Sequence, residues 1–167
     1  MALTRINNNS LSSVTAAGLP TLTTDKLPEG SVLQVKSTSI NPTTGDYTNN
    51  ASFSVHPNIN VAITPSSSTN KILVMCSAWG YMAGDGHLIM DIDRSGTLLS
   101  GQNYGFGNLR DSASDYHQGH MTMVCLDSPN TTSSRTYSLA VRVDGNGTGY
   151  VHSARVATIT VMEIAGA

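Results

Sequence analysis

From residue 31 onward, apolar side chains recur at every second position, and each run ends in a cluster of Gly, Pro, Asn or Ser. A period of two between turn clusters is the pattern of half-buried strands. SVLQVKSTS at 31–39 alternates Leu33 and Val35 with polar neighbours, and ASFSVHPNINVAIT at 51–64 sets Phe53 and Val55, then Ile59, Val61 and Ile63, in alternation. HLIMDID at 87–93 puts Leu88, Met90 and Ile92 on one side and Ile89, Asp91 and Asp93 on the other. In TYSLAVRV at 136–143 the apolar side is Tyr137, Leu139, Val141 and Val143, with Ala140 and Arg142 opposite. KILVMCSAWGY at 71–81 is apolar almost throughout, which predicts a strand covered on both faces. GHMTMVCLD at 119–127 and YVHSARVATITVMEIAG at 150–166 complete the set. RSGT at 94–97 and DGNGTGY at 144–150 read as hairpin turns.

The count is eight to ten strands, with no window of helical periodicity. A strand that is apolar on one side must bury that side against a second sheet, so the pattern predicts an all-β sandwich of the jelly-roll kind. Residues 1–28 do not share it. There, Leu3, Ile6, Leu11, Val14, Leu19 and Leu22 stand singly among Ser, Thr and Asn, too sparse to form a core. Spaced apolar side chains of this kind suit an extended arm that drops them into pockets of a partner. The expected organisation is therefore an anchoring arm over 1–28 and one sandwich domain over 29–167.

Composition narrows the function classes. Ser, Thr and Asn fill 53 of the 167 positions, while charged residues make up 12%, about half of what an ordinary soluble domain carries, which argues against a helical protein. A net charge of −2 supplies no basic surface for nucleic acid or for an anionic membrane. No apolar stretch approaches a membrane span, and the first residues lack a signal-peptide hydrophobic region, so synthesis in a cytoplasm without export is expected. Cys76 and Cys125 are too few and too far apart for a disulfide framework or a zinc cluster, and read as buried thiols. The sequons at Asn8, Asn50, Asn130 and Asn146 are expected by chance in a chain this rich in Ser and Thr.

No nucleophile elbow, phosphate loop, dinucleotide fingerprint or zinc-protease motif is present, so neither enzymatic activity nor a cofactor or metal is expected. His87, Asp91 and Asp93 share one strand face and offer hard-cation ligands, yet the same spacing describes the solvent face of an edge strand, which is the preferred reading. His117 and His120 would point to opposite faces of a strand. Asp111 and Asp115 have only proximity to recommend them as an acid pair. The stretch SGQNYGFGNLRDSASDYHQG at 100–119 is the longest without strand pattern, and long loops in compact domains carry contacts. Its Tyr104, Phe106, Tyr116 and His117 are the candidate recognition residues; the alternative is that the aromatics tuck beneath the loop or into a subunit interface.

Four blocks carry a resemblance: LPEGSVLQV at 27–35, VAITPSSSTNKILVM at 61–75, CLDSPNTTSSRTYSLAVRV at 125–143 and VATITVMEIAGA at 156–167. In this order they resemble virion structural proteins of tailed bacteriophages, marine and cyanobacterial ones especially, of the tail-fibre-like or head-decoration-like kind. The resemblance implies a jelly roll of the tumour-necrosis-factor type assembled as a homotrimer on the virion exterior. It implies a second virion protein, capsid or tail, as the partner of the arm. Capsid decoration is the preferred seat, with a tail-fibre or receptor-binding tip that reads a host surface glycan as the alternative. A trimer would also explain the apolar positions on both faces of 71–81 and 156–164. An arm of 28 residues spans at most about 90 Å and no repeat supplies a shaft, so a short projection or a tip is expected. A carbohydrate-binding module built on the 100–119 loop is the rival from another class. A glycan-degrading enzyme is disfavoured by the missing pair of carboxylates.

Overall fold

The computed structural model describes residues 27–41, 46–48, 50–112, 117–151 and 155–166, with backbone alone at 46–48. The arm residues Leu3, Ile6, Leu11, Val14, Leu19 and Leu22, together with Asp115 and Tyr116, lie outside the described residues. Within them every regular element is a strand: β1 (Val32–Ile40), β2 (Asp46–Thr48), β3 (Ser54–Ile63), β4 (Lys71–Ala83), β5 (Gly86–Arg94), β6 (Thr97–Leu98), β7 (Gly107–Asp111), β8 (His117–Asp127), β9 (Arg135–Gly145), β10 (Thr148–Val151) and β11 (Ala157–Ile164).

Two antiparallel sheets hold these strands. Sheet A runs β1-β11-β4, with β8 on the far side of β4 and with β10 and β2 continuing beyond β11; sheet B runs β3-β9-β5, with β6 and β7 both on the free side of β5. Leaving aside the short β2, β6 and β10, the orders β1-β11-β4-β8 and β3-β9-β5-β7 pass the chain from sheet to sheet in the winding of a jelly roll. The fold class read from the strand pattern is the one observed.

The core forms where the two inner faces meet. Sheet A contributes Ile72, Val74, Cys76, Met123, Ile159 and Val161, and sheet B contributes Ile59, Ile63, Leu88, Met90, Ile92, Leu139 and Val143, all buried. These are the alternate positions that the pattern singled out, because successive side chains of a strand point to opposite faces. Tyr137 is fully buried with them, and its hydroxyl donates to Asp127 Oδ2 at 2.7 Å, while Arg94 Nη1 holds Asp127 Oδ1 at the same distance. Burial and the neighbouring carboxylate push the Tyr137 phenol well above its ordinary range.

Several expectations are corrected. The 100–119 stretch is not one loop: β7 forms within it, and β8 begins at His117. The 150–166 run divides into β10 and β11. Leu33 and Val35 do not share a face, because the pairing of β1 with β11 shifts register between Val32 and Gln34 and Val35 is turned outward, 54% exposed. β4 is not covered on both faces within one chain, since Leu73, Met75 and Ser77 on its outer side are half-exposed. Nor is β5 an edge strand; it lies between β9 on one side and β6 and β7 on the other. The hairpin turn at 94–97 is as expected, with Ser95 and Gly96 at φ 47° and 96°, the left-handed pair that a two-residue turn between twisted strands requires.

Candidate functional site

The outer face of sheet A follows from the strand registers. Leu73 pairs with Met162 on one side and Leu126 on the other, and Met75 pairs with Thr160 and Val124. Beside them stands Val35, opposite Met162 on β11. Val124 and Leu126 are 52% and 61% exposed. Further along, the face carries a ladder of hydroxyls: Ser37 with Thr160 at 2.8 Å, Ser39 with Thr158 at 3.0 Å, and Thr122 donating to Ser77 at 3.3 Å. Lys71 marks one limit of this surface, its Nζ donating to Ser128 Oγ. Arg155 marks the other, with its guanidinium 4.2 Å above the ring of Trp79. Between these limits the outward positions of the described residues carry no charged side chain.

Sheet B presents a different outer face. Cross-strand pairing sets Arg142, Ile89 and Asn108 in one outward row and Asp144, His87 and Arg110 in the next. Residues 99–106 fold over this face. Leu99 N donates to Ile92 O at 2.9 Å and Phe106 N to Met90 O at 3.0 Å, so Ile89 and Asp91 are both fully buried beneath the loop. Asp91 Oδ1 accepts from Ile92 N at 2.7 Å and Ser100 N at 3.3 Å, Asp91 Oδ2 accepts from the Ser100 hydroxyl, and Asp93 Oδ1 accepts from Gly96 N at 2.9 Å. These two carboxylates therefore tie down the loop and the turn, and are not on a solvent face. Among the described residues, no group of three or more His, Cys, Asp or Glu side chains is placed to hold a metal ion.

The other sequence candidates separate. Tyr104 is 51% exposed and packs edge-on to His87 at 5.4 Å between ring centres, and Phe106 is 36% exposed on the same loop. His117 lies at the start of β8, in the other sheet from the one the loop's exposed rings cover, with its Nδ1 3.9 Å from Oδ1 of the buried Asp111. His120 points outward beside Trp79, so His117 and His120 do face opposite ways. Cys76 and Cys125 are both free thiols, pushed up by burial to about 12 and about 11.

The ends of the sandwich also differ. Gly30 N donates to Ala165 O and Ala165 N to Ser31 O, both at 2.9 Å, so residues 27–31 enter beside the C-terminal strand end. There Glu163, 1% exposed, accepts at Oε1 from Ser66 N, Ser66 Oγ and Asn70 Nδ2 and at Oε2 from Gln34. Burial opposes its charge, but the hydrogen bonds from Asn70, Gln34 and Ser66 outweigh that and hold the carboxyl below its ordinary value. The turns at 84–85 and 146–147 lie at the far end.

Sequence reasoning did not single out Val124, Leu126, Arg142 or Glu163. A signal existed for the first two: in MTMVCLD the apolar residues occupy both alternations, which marks a strand with two faces to cover. None existed for the others, whose partners are distant in the chain.

No family model and no curated protein matches this chain. Among solved structures, one described as the structure of infectious bursal disease virus, Gx strain, is similar over 81% of this chain and 39% of that one, at 10% identity and a TM-score of 0.34. The chain thus spans well under half of the structure it resembles. A likeness this slight leaves the fold to be judged from its own sheets.

Proposed function

We propose that this protein is a non-enzymatic structural component of a tailed-phage virion exterior, a homotrimer anchored to another virion protein by residues 1–28, with capsid decoration as the preferred seat. The observation that carries the reading is the uncharged outer face of sheet A. β4 is 13 residues long. With β1, β11 and β8 at 9, 8 and 11 residues, the four strands cover on the order of 650 Å², below but comparable with the roughly 800 Å² per partner of a standard protein interface. Solvent-facing surfaces of soluble monomers seldom leave Leu, Met and Val side by side without charge, and such patches mark association sites. Outward charges stand within the face of sheet B, whereas here they stand only at the limits, Lys71 and Arg155, which supports one side for other copies and one for the surroundings.

The entry of the chain at residues 27–31 supports the anchoring role. An arm leading from that end would seat the sandwich with its opposite turns pointing away from the particle. Deleting residues 1–28 is expected to release the protein from particles while light scattering still finds three chains; a truncated protein that co-purifies with virions would overturn the anchoring. Copy number distinguishes the seats, hundreds per particle for decoration and a few tens or fewer for a tail.

A second reading, a receptor-binding tip that recognises a host surface glycan, is favoured by the exposed rings of Tyr104 and Phe106 on the sheet B side, away from the proposed association face.

A further inference from the structure

We propose that a cleft on the outer face of sheet B, between residues 51–53 and 98–103, binds a neutral, hydroxyl-rich saccharide. This rests on the receptor-binding reading and assigns its site to residues other than the exposed loop aromatics. The cleft has a volume of about 730 Å³ and is lined by Phe53, Leu98, Gln102, Asn103, Arg142 and Asp144 among others, within the range of small-ligand sites.

Its floor is preorganised. Arg142 Nη2 donates to Asn103 O at 2.6 Å, Nε to the same oxygen at 3.3 Å and Nη1 to Ala51 O at 3.4 Å, and the guanidinium lies 5.4 Å from the ring centre of Phe53. These bonds join both walls of the cleft to one strand of the sheet, so a ligand would meet a surface already in place. They also direct the guanidinium N–H groups toward protein carbonyls.

What remains available is polar and planar. The Asp144 side chain is 50% exposed, with its Oδ2 3.9 Å from Arg142 Nη2. Gln102 and Asn103 are exposed. A carboxylate and two amides match the donors and acceptors of sugar hydroxyls, while Phe53 and Leu98 offer apolar surface to the C–H side of a ring. Charge selects within the class: Asp144 offsets Arg142 and repels a sugar carboxylate. The cleft also opens on the side opposite the proposed association face, so assembly would leave it accessible.

The test is calorimetric titration of the full-chain protein with neutral oligosaccharides and with uronate- or sialate-bearing ones. Neutral ligands are expected to saturate, and Asp144→Ala and Gln102→Ala to weaken them at least tenfold at unchanged oligomer mass. Arg110→Ala, outward on β7 and outside the cleft, is expected to leave affinity unchanged. No neutral binding at millimolar concentration, a preference for the carboxylated series, or wild-type affinity in both cleft variants would overturn the assignment. Adsorption of labelled protein to cells that the particle infects separates the two readings. If the wild type and both cleft variants adsorb equally, the receptor reading stands and the cleft falls. If nothing adsorbs, while neutral saccharide binding is still lost in Asp144→Ala, the cleft stands and the receptor reading falls.

Discussion

Leu73 and Leu126 face each other across β4 and β8, and both side chains point out of the sandwich. In one isolated chain Leu126 is 61% exposed. The same position lies near the end of the edge strand β8, within the outer face proposed to meet other copies.

Replacing Leu126 by Asp would bury an unpaired carboxylate wherever a neighbouring copy covers this position, which costs several kcal/mol of association. The expected outcome is a fall in light-scattering mass to a single chain, with the far-ultraviolet circular dichroism of the sandwich retained. A variant that remains fully associated would exclude this face as the contact between copies.

Glu163 couples the start of β4 to the end of β11 through Asn70, Ser66 and Gln34. Exchanging it for Gln turns one acceptor into a donor opposite Gln34, and leaving buried groups unpaired costs about 1–3 kcal/mol. Urea midpoints should fall accordingly. Because the folded carboxyl titrates below its ordinary value of 4.5, its stabilisation is complete above about pH 4.5 and is lost as the pH falls through the folded value. Glu163→Gln should therefore be less acid-sensitive than the wild type; an unchanged acid profile would remove Glu163 from that role.

Gly105 sits at φ +58°, and a Cβ added there would run into the carbonyl of Met90, which accepts from Phe106 N. Gly105→Ala thus combines left-handed strain with a backbone clash, on the order of 1–3 kcal/mol. The 99–106 loop should lift from sheet B, seen as faster amide exchange at Phe106 and at the buried Ile89. Unchanged protection at both would show that the loop is held elsewhere.

Much of this architecture was legible in the chain. Positions such as Ile59, Ile63, Leu88, Met90, Leu139 and Val143 alternate with polar residues, and a strand has only two faces, so their burial follows from local geometry alone. The hairpin at Ser95 and Gly96 was legible for the same reason, since a turn draws only on adjacent residues. The β1 bulge that turns Val35 outward was not, because register depends on β11, more than 120 residues away. Asp91 and Asp93 illustrate the same limit. Their spacing correctly placed them on one face, but whether that face meets water depended on a loop that follows them and folds back.

The sequence by itself determined a two-layer β architecture and the identity of its inner faces, because alternation is a property of consecutive residues. Only the tertiary structure decided what the outer faces are. Leu73, Leu126 and Met162 become one patch, and Phe53, Gln102, Arg142 and Asp144 one cleft, through pairing between strands remote in the chain, which no local pattern encodes.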